Sequence, residues 1–157
     1  MKKALTGISA LVALALGATA AQAQNVTFES KLGSPTLVGG IGPDNVGGGA
    51  YWTSTSIINT EGSGKSTSSS ICVGMAQPSG AIFDRHVTCT SKSDNGELGI
   101  IMGCMKGAEG SGEMTCNGRV AGKTGAVKGR QGLITQHFKF NMDGSGGTAT
   151  GTGQWTK

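Results

Sequence analysis

Residues 132–156 read GLITQHFKFNMDGSGGTATGTGQWT, and the side-chain alternation in this stretch decides the fold. Ile134, Phe138, Phe140 and Met142 fall on one face of an extended chain, interrupted by Gln136, while Leu133, Thr135, His137 and Lys139 fall on the other. A period of two is the signature of a half-buried strand, so the first face is read as core. Asp143, Gly144, Ser145 and Gly146 then supply the positive-φ residues that a tight hairpin demands. On the returning strand Ala149, Gly151, Gly153 and Trp155 share a face, opposite Thr148, Thr150, Thr152 and Gln154. Small residues facing large ones suit the taper of a small barrel.

The same grammar runs back through the chain. Alternating segments rich in Thr, Ser, Val, Ile and Phe predict strands over residues 26–31, 36–41, 49–59, 66–75, 81–91, 97–105, 113–120, 132–142 and 147–156, with a second firm turn at Asp94-Asn95-Gly96. We read an all-β fold, an antiparallel meander of about eight strands closing into a small barrel. Closure removes the exposed edges on which an open sheet aggregates.

Composition excludes the alternatives. The 157 residues include 29 Gly, which have no three-residue period, so a collagen helix is excluded. Each Gly inside a helix costs about 1 kcal/mol against Ala, which disfavours a helix bundle. Only 14% of residues are charged and 36% are hydrophobic, unlike a self-repelling disordered chain. Seven aromatics are too few for the two interfacial girdles of an outer-membrane barrel.

Residues 1–23, MKKALTGISALVALALGATAAQA, read as a signal peptide: Lys2 and Lys3 form a basic start, residues 4–18 an apolar run, and Ala21-Gln22-Ala23 a small-x-small cleavage site. The run falls short of the roughly 20 apolar residues of a membrane span and Thr6, Gly7 and Ser9 dilute it. The expected organisation is a leader over residues 1–23 and one domain over 24–157, periplasmic or secreted and not membrane-spanning. Without Lys2 and Lys3, 11 Lys/Arg face 9 Asp/Glu, so the net charge drops from +4 to +2.

In an oxidising compartment Cys72, Cys89, Cys104 and Cys116 are read as two disulfides. Three pairings are possible. Sequence neighbours, 72 with 89 and 104 with 116, are favoured because each pair encloses a turn signal, and a hairpin folding about Gly110 brings Cys104 and Cys116 opposite each other. Neither a Cys-x-x-Cys nor a paired His spacing points to redox chemistry or zinc, and we expect no cofactor or metal.

No acid pair or Ser-His-Asp set stands out, so the sequence reads as a binding protein rather than an enzyme. Asp84 and His86 would share a face of one predicted strand and could pair. Residues 59–66 and 118–124 imitate phosphate-binding loops, and both miss the required glycine spacing. Between Met114 and Met142 lie Arg119, Lys123, Lys128, Arg130 and Lys139 with no carboxylate. Arg119, Lys123, Lys128 and Arg130 are the candidate anion-binding residues, for an anionic envelope glycan or lipid. Nucleic acid is disfavoured because aromatics do not interleave with these cations. Tyr51 and Trp52 are adjacent, so one of them points out of the barrel and is a candidate for ligand stacking.

The run GKTGAVKGRQG, residues 122–132, resembles the Gly-Gly-Thr-Gly-x-x-x-Gly-x-x-Gly signature of small secreted bacterial proteins with an allene oxide cyclase barrel-like fold. The following Gly151-Thr152-Gly153-Gln154-Trp155, the upstream Cys72-Val73-Gly74, and Cys89 before Asp94-Asn95-Gly96 are similar too. Lys123 stands where that signature has its second Gly, and Val127 where an aromatic is common. The resemblance implies a barrel; the cyclase relatives isomerise a fatty-acid epoxide in a hydrophobic barrel cavity, but none of their catalytic residues maps onto this chain. The alternatives to surface anion binding are therefore binding or isomerisation of a small apolar molecule inside the barrel, and a structural envelope protein.

Overall fold

A computed structural model describes residues 23–41 and 47–156; the leader expected over residues 1–23 lies, but for Ala23, outside them. Among the described residues nine strands follow one another: β1 (Gln24–Leu32), β2 (Thr36–Val38), β3 (Gly49–Thr60), β4 (Gly64–Ala76), β5 (Arg85–Ser93), β6 (Gly96–Lys106), β7 (Glu113–Gly122), β8 (Gln131–Phe140) and β9 (Gly147–Trp155). The only helical segment described is one 3-10 turn, Gly125–Val127. Every pairing is antiparallel, in the order β1-β9-β8-β7-β6-β5-β4-β3-β2. A further β1–β3 pairing, Leu32 opposite Ser54 through Val26 opposite Thr60, closes the sheet into a barrel of eight staves. The short β2 pairs β3 at Tyr51, Ala50 and Gly49, beyond where β1 ends, so β1 and β2 together make one interrupted stave. No helix among the described residues is long and apolar enough to cross a membrane.

The turns sit where the sequence puts them. Gly96 (φ 123°), Gly144 (φ 76°) and Gly146 (φ 111°) adopt the positive φ that glycine tolerates best. Asp143 Oδ1 accepts the Ser145 N–H at 2.9 Å, and the Ser145 hydrogen bonds hold the Asp143 carboxyl below its ordinary pKa. Both disulfides form, Cys72–Cys89 between β4 and β5 and Cys104–Cys116 between β6 and β7. Their Cα separations, 4.1 and 4.0 Å, belong with the closer of the two antiparallel pair types.

Three details of the predicted strands are corrected. Residues 81–84 are a loop: Asp84 accepts the Lys106 N–H on its side chain (2.8 Å), and the Phe83 ring fills the space that a side chain at Gly103 would need. His86 does not meet Asp84 but lies beside the Phe83 ring, centroids 5.9 Å apart. Residues 39–40 leave the second strand early. Met142 is 70% exposed rather than core, because the chain has entered the turn by Asn141 and the alternation of β8 no longer governs it.

Candidate functional site

The barrel interior divides into two halves of different character. One is solid. Trp52, Val87, Met102, Phe138 and the buried Cys104–Cys116 bridge pack together, with Trp52 edge-on to Phe138 and to Phe140 at centroid distances of 5.9 and 5.4 Å. Edge-to-face aromatic pairs of this kind add about 0.5–1.5 kcal/mol beyond area burial.

The other half is hollow, a cavity of about 330 Å³ whose lining includes the Cys72–Cys89 bridge. Its size is set by residue volume, because inward positions on β3, β4 and β5 carry serines where a filled barrel needs Leu or Ile. Ser54 and Ser56 come from β3, Ser66, Ser68 and Ser70 from β4, and Ser91 and Ser93 from β5. Facing them are Val26 and Phe28 of β1, Leu98 and Ile100 of β6, Val120 of β7 and Ile134 of β8. Gly151 keeps the wall thin under Phe28, whose ring occupies the place of a side chain there. The cavity therefore has a hydroxyl-rich wall and a mainly hydrocarbon wall, in which the buried amide of Gln136 on β8 is a polar exception.

Arg130 guards one end of this cavity. Its guanidinium lies 4.5 Å above the Trp155 ring and donates to Gln24 Oε1 at 2.9 Å, tying β9 and β1 to the β7–β8 connection. That connection, residues 123–130, folds over the lining through Ala126 and Val127. It is anchored by backbone bonds: Gly122 N–H to the Arg130 carbonyl (2.8 Å), Gly129 N–H to the Gly122 carbonyl (3.0 Å) and Lys123 N–H to the Glu97 carbonyl (2.7 Å). Glu97 N–H returns a bond to Thr124 Oγ1 at 3.0 Å. The glycines let backbones touch: a Cβ on Gly122 would strike the Val127 carbonyl, and one on Gly125 would lie 2.5 Å from the Asn95 carbonyl oxygen. The glycine-rich run at residues 122–132 is thus a close-packed cap, interlocked with the Asp94-Asn95-Gly96 turn.

The residues singled out from sequence separate. Trp52 is 3% exposed and belongs to the core; Tyr51 points outward, 45% exposed, across from Val73 on β4. Of the four cations, Lys123, Lys128 and Arg130 share the cap, whereas Arg119 lies on the outer face of β7 between Ile101 and Leu133. Alternation along β7 thereby disperses a group that looked contiguous in sequence. Arg130 is half-buried and engaged, and Lys123 lies near Glu97. The Lys92 ammonium, bonded at 2.9 Å, and secondarily Lys123 hold the Glu97 carboxyl below its usual pKa. Lys139 is paired with Glu113 at 2.7 Å and lowers that carboxyl likewise.

Sequence reading missed the serine wall. Its signal is present in Ser54-x-Ser56, Ser66-x-Ser68-x-Ser70 and Ser91-x-Ser93, a period of two on three successive strands. No protein-family model matches the chain, and comparison with curated proteins and with solved structures finds no match.

Proposed function

We propose that this protein binds a small, largely apolar molecule inside the barrel. The observation that carries the reading is the two-walled cavity, at about 330 Å³ within the range of small-molecule sites. The resemblance to allene oxide cyclase-like barrels supports the same location. Among the described residues the lining carries no carboxylate and no imidazole, which favours binding over proton-transfer catalysis. The test is a fluorescence titration with 1-anilinonaphthalene-8-sulfonate on the disulfide-bonded protein. Saturable binding of one probe per chain is expected, and Ser70→Phe, which puts a phenyl ring into the cavity, should weaken it at least about tenfold, the equivalent of about 1.4 kcal/mol. Unchanged binding to a folded Ser70→Phe protein would refute an interior site.

A second reading is favoured by the exposure of Lys123 and Lys128 on the outer side of the cap: contact with an anionic envelope glycan or lipid. Retention on vesicles containing anionic lipid should then fall as salt rises, since exposed charges are screened within a Debye length of about 10 Å at 0.1 M. Lys123→Glu combined with Lys128→Glu should abolish it. Retention that ignores both salt and charge reversal ends this reading.

A further inference from the structure

The serine wall restricts which molecule the cavity accepts. By strand register Ser54, Ser70 and Ser91 form one row across β3, β4 and β5, and Ser30, Ser56, Ser68 and Ser93 form the next. Neighbouring strands lie about 4.8 Å apart and like-facing residues about 6.8 Å apart along each strand, so the hydroxyls make a grid. Some are satisfied internally: Ser30 and Ser56 share a hydrogen bond of 2.7 Å, and Ser93 reaches the Gly96 carbonyl at 3.4 Å and accepts the Asn95 N–H. Ser68, Ser70 and Ser91, at 6%, 9% and 4% exposure, make no such bond among the described residues. They are not sealed in either. Trp52 Nε1 is the only fully enclosed side-chain polar atom left unpartnered among the described residues, so these hydroxyls open onto the cavity.

Buried polar groups require partners, and here water in the cavity or a bound molecule provides them, so a ligand that displaces the water must replace its hydrogen bonds. A pure hydrocarbon would strand the hydroxyls, and a molecule polar all round would waste the wall of Val26, Phe28, Ile100 and Ile134. We infer that the ligand is facially amphiphilic: an extended or polycyclic molecule with oxygens along one side, against Ser68, Ser70 and Ser91, and hydrocarbon along the other. The inference rests on the interior-binding reading and narrows it to a ligand class. Arg130, whose guanidinium has donors beyond the one given to Gln24, suits a carboxylate at the ligand's outer end.

Cholate and lithocholate are suitable probes, because they share a skeleton and a carboxylate and differ by the extra hydroxyls on one face of cholate. Calorimetric titration of the intact disulfide-bonded protein should give cholate at least about tenfold tighter than lithocholate, as expected for one or two added hydrogen bonds. In the triple variant Ser68→Ala, Ser70→Ala, Ser91→Ala the preference should vanish or reverse, with 1-anilinonaphthalene-8-sulfonate binding retained. Equal affinities in the native protein, or a preference that survives the triple substitution, overturns the facial match. Failure of both steroids alongside normal binding of the naphthalene probe also overturns it and leaves interior binding standing. If no probe enters a folded barrel, both conclusions fall.

Discussion

Replacing Cys104 and Cys116 together by Ala lowers stability by about 3 kcal/mol, or roughly 10 °C in Tm, read by thermal or urea unfolding. The bridge closes a 12-residue separation between two strands of one hairpin, and both cysteines are fully buried. The loss comes from the freedom the unfolded chain regains and from cavities left beside Met102 and Phe138, which belong to the same cluster. The second bridge differs in placement. Cys72 and Cys89 border the hollow half, so the same substitution there also enlarges the ligand cavity. The Cys104/Cys116 variant should keep its ligand affinity at temperatures where it is folded, while the Cys72/Cys89 variant should not. A Cys104/Cys116 variant as stable as the parent would mean that the solid half holds together without its staple.

Gly122→Ala produces the second large effect, a loss of about 2–3 kcal/mol from overpacking, because the added methyl meets the Val127 carbonyl, which is held by the Arg130 N–H. Neither backbone can retreat without opening the cap. Gly129→Ala is the control: Gly129 has φ 80° but nothing near its missing side chain, so only the left-handed backbone cost of about 1 kcal/mol applies. Unfolding of the two variants should rank them in that order, and Gly122→Ala should also accelerate release of bound probe. The reverse order would show that backbone conformation, and not close approach, fixes glycine in this loop.

Much of the architecture could be read from sequence because its causes are local. Alternation along β8 and β9 and the glycines at 96, 144 and 146 act over a few residues, and the Cys104–Cys116 register follows from counting either side of Gly110. The misreadings occurred where local pattern loses authority. Ile82 and Phe83 look like strand residues, but Asp84 is committed to capping Lys106 and the strand starts at Arg85. Met142 keeps the parity of β8 after β8 has ended. The site was less legible. A cavity is the difference between the space enclosed by eight staves and the volumes of side chains from all of them, and no single segment contains that sum. The serines were visible as residues, yet Ser on a strand reads as surface until closure decides which face is inside.

The pairing of β1 with both β9 and β3 makes β1 the stave that closes the ring. Gln154 donates to Asn25 Oδ1 across 129 positions of chain, so the ring is complete only when the first and last strands meet. Without that meeting the sheet would be an open ribbon whose two outer strands display unpaired N–H and C=O groups. Such long-range closure is slow compared with hairpin formation. Because Val26 and Phe28 of β1 also line the cavity, the strand that closes the ring walls the cavity, and a synthetic peptide matching residues 24–32 should compete for that slot during refolding.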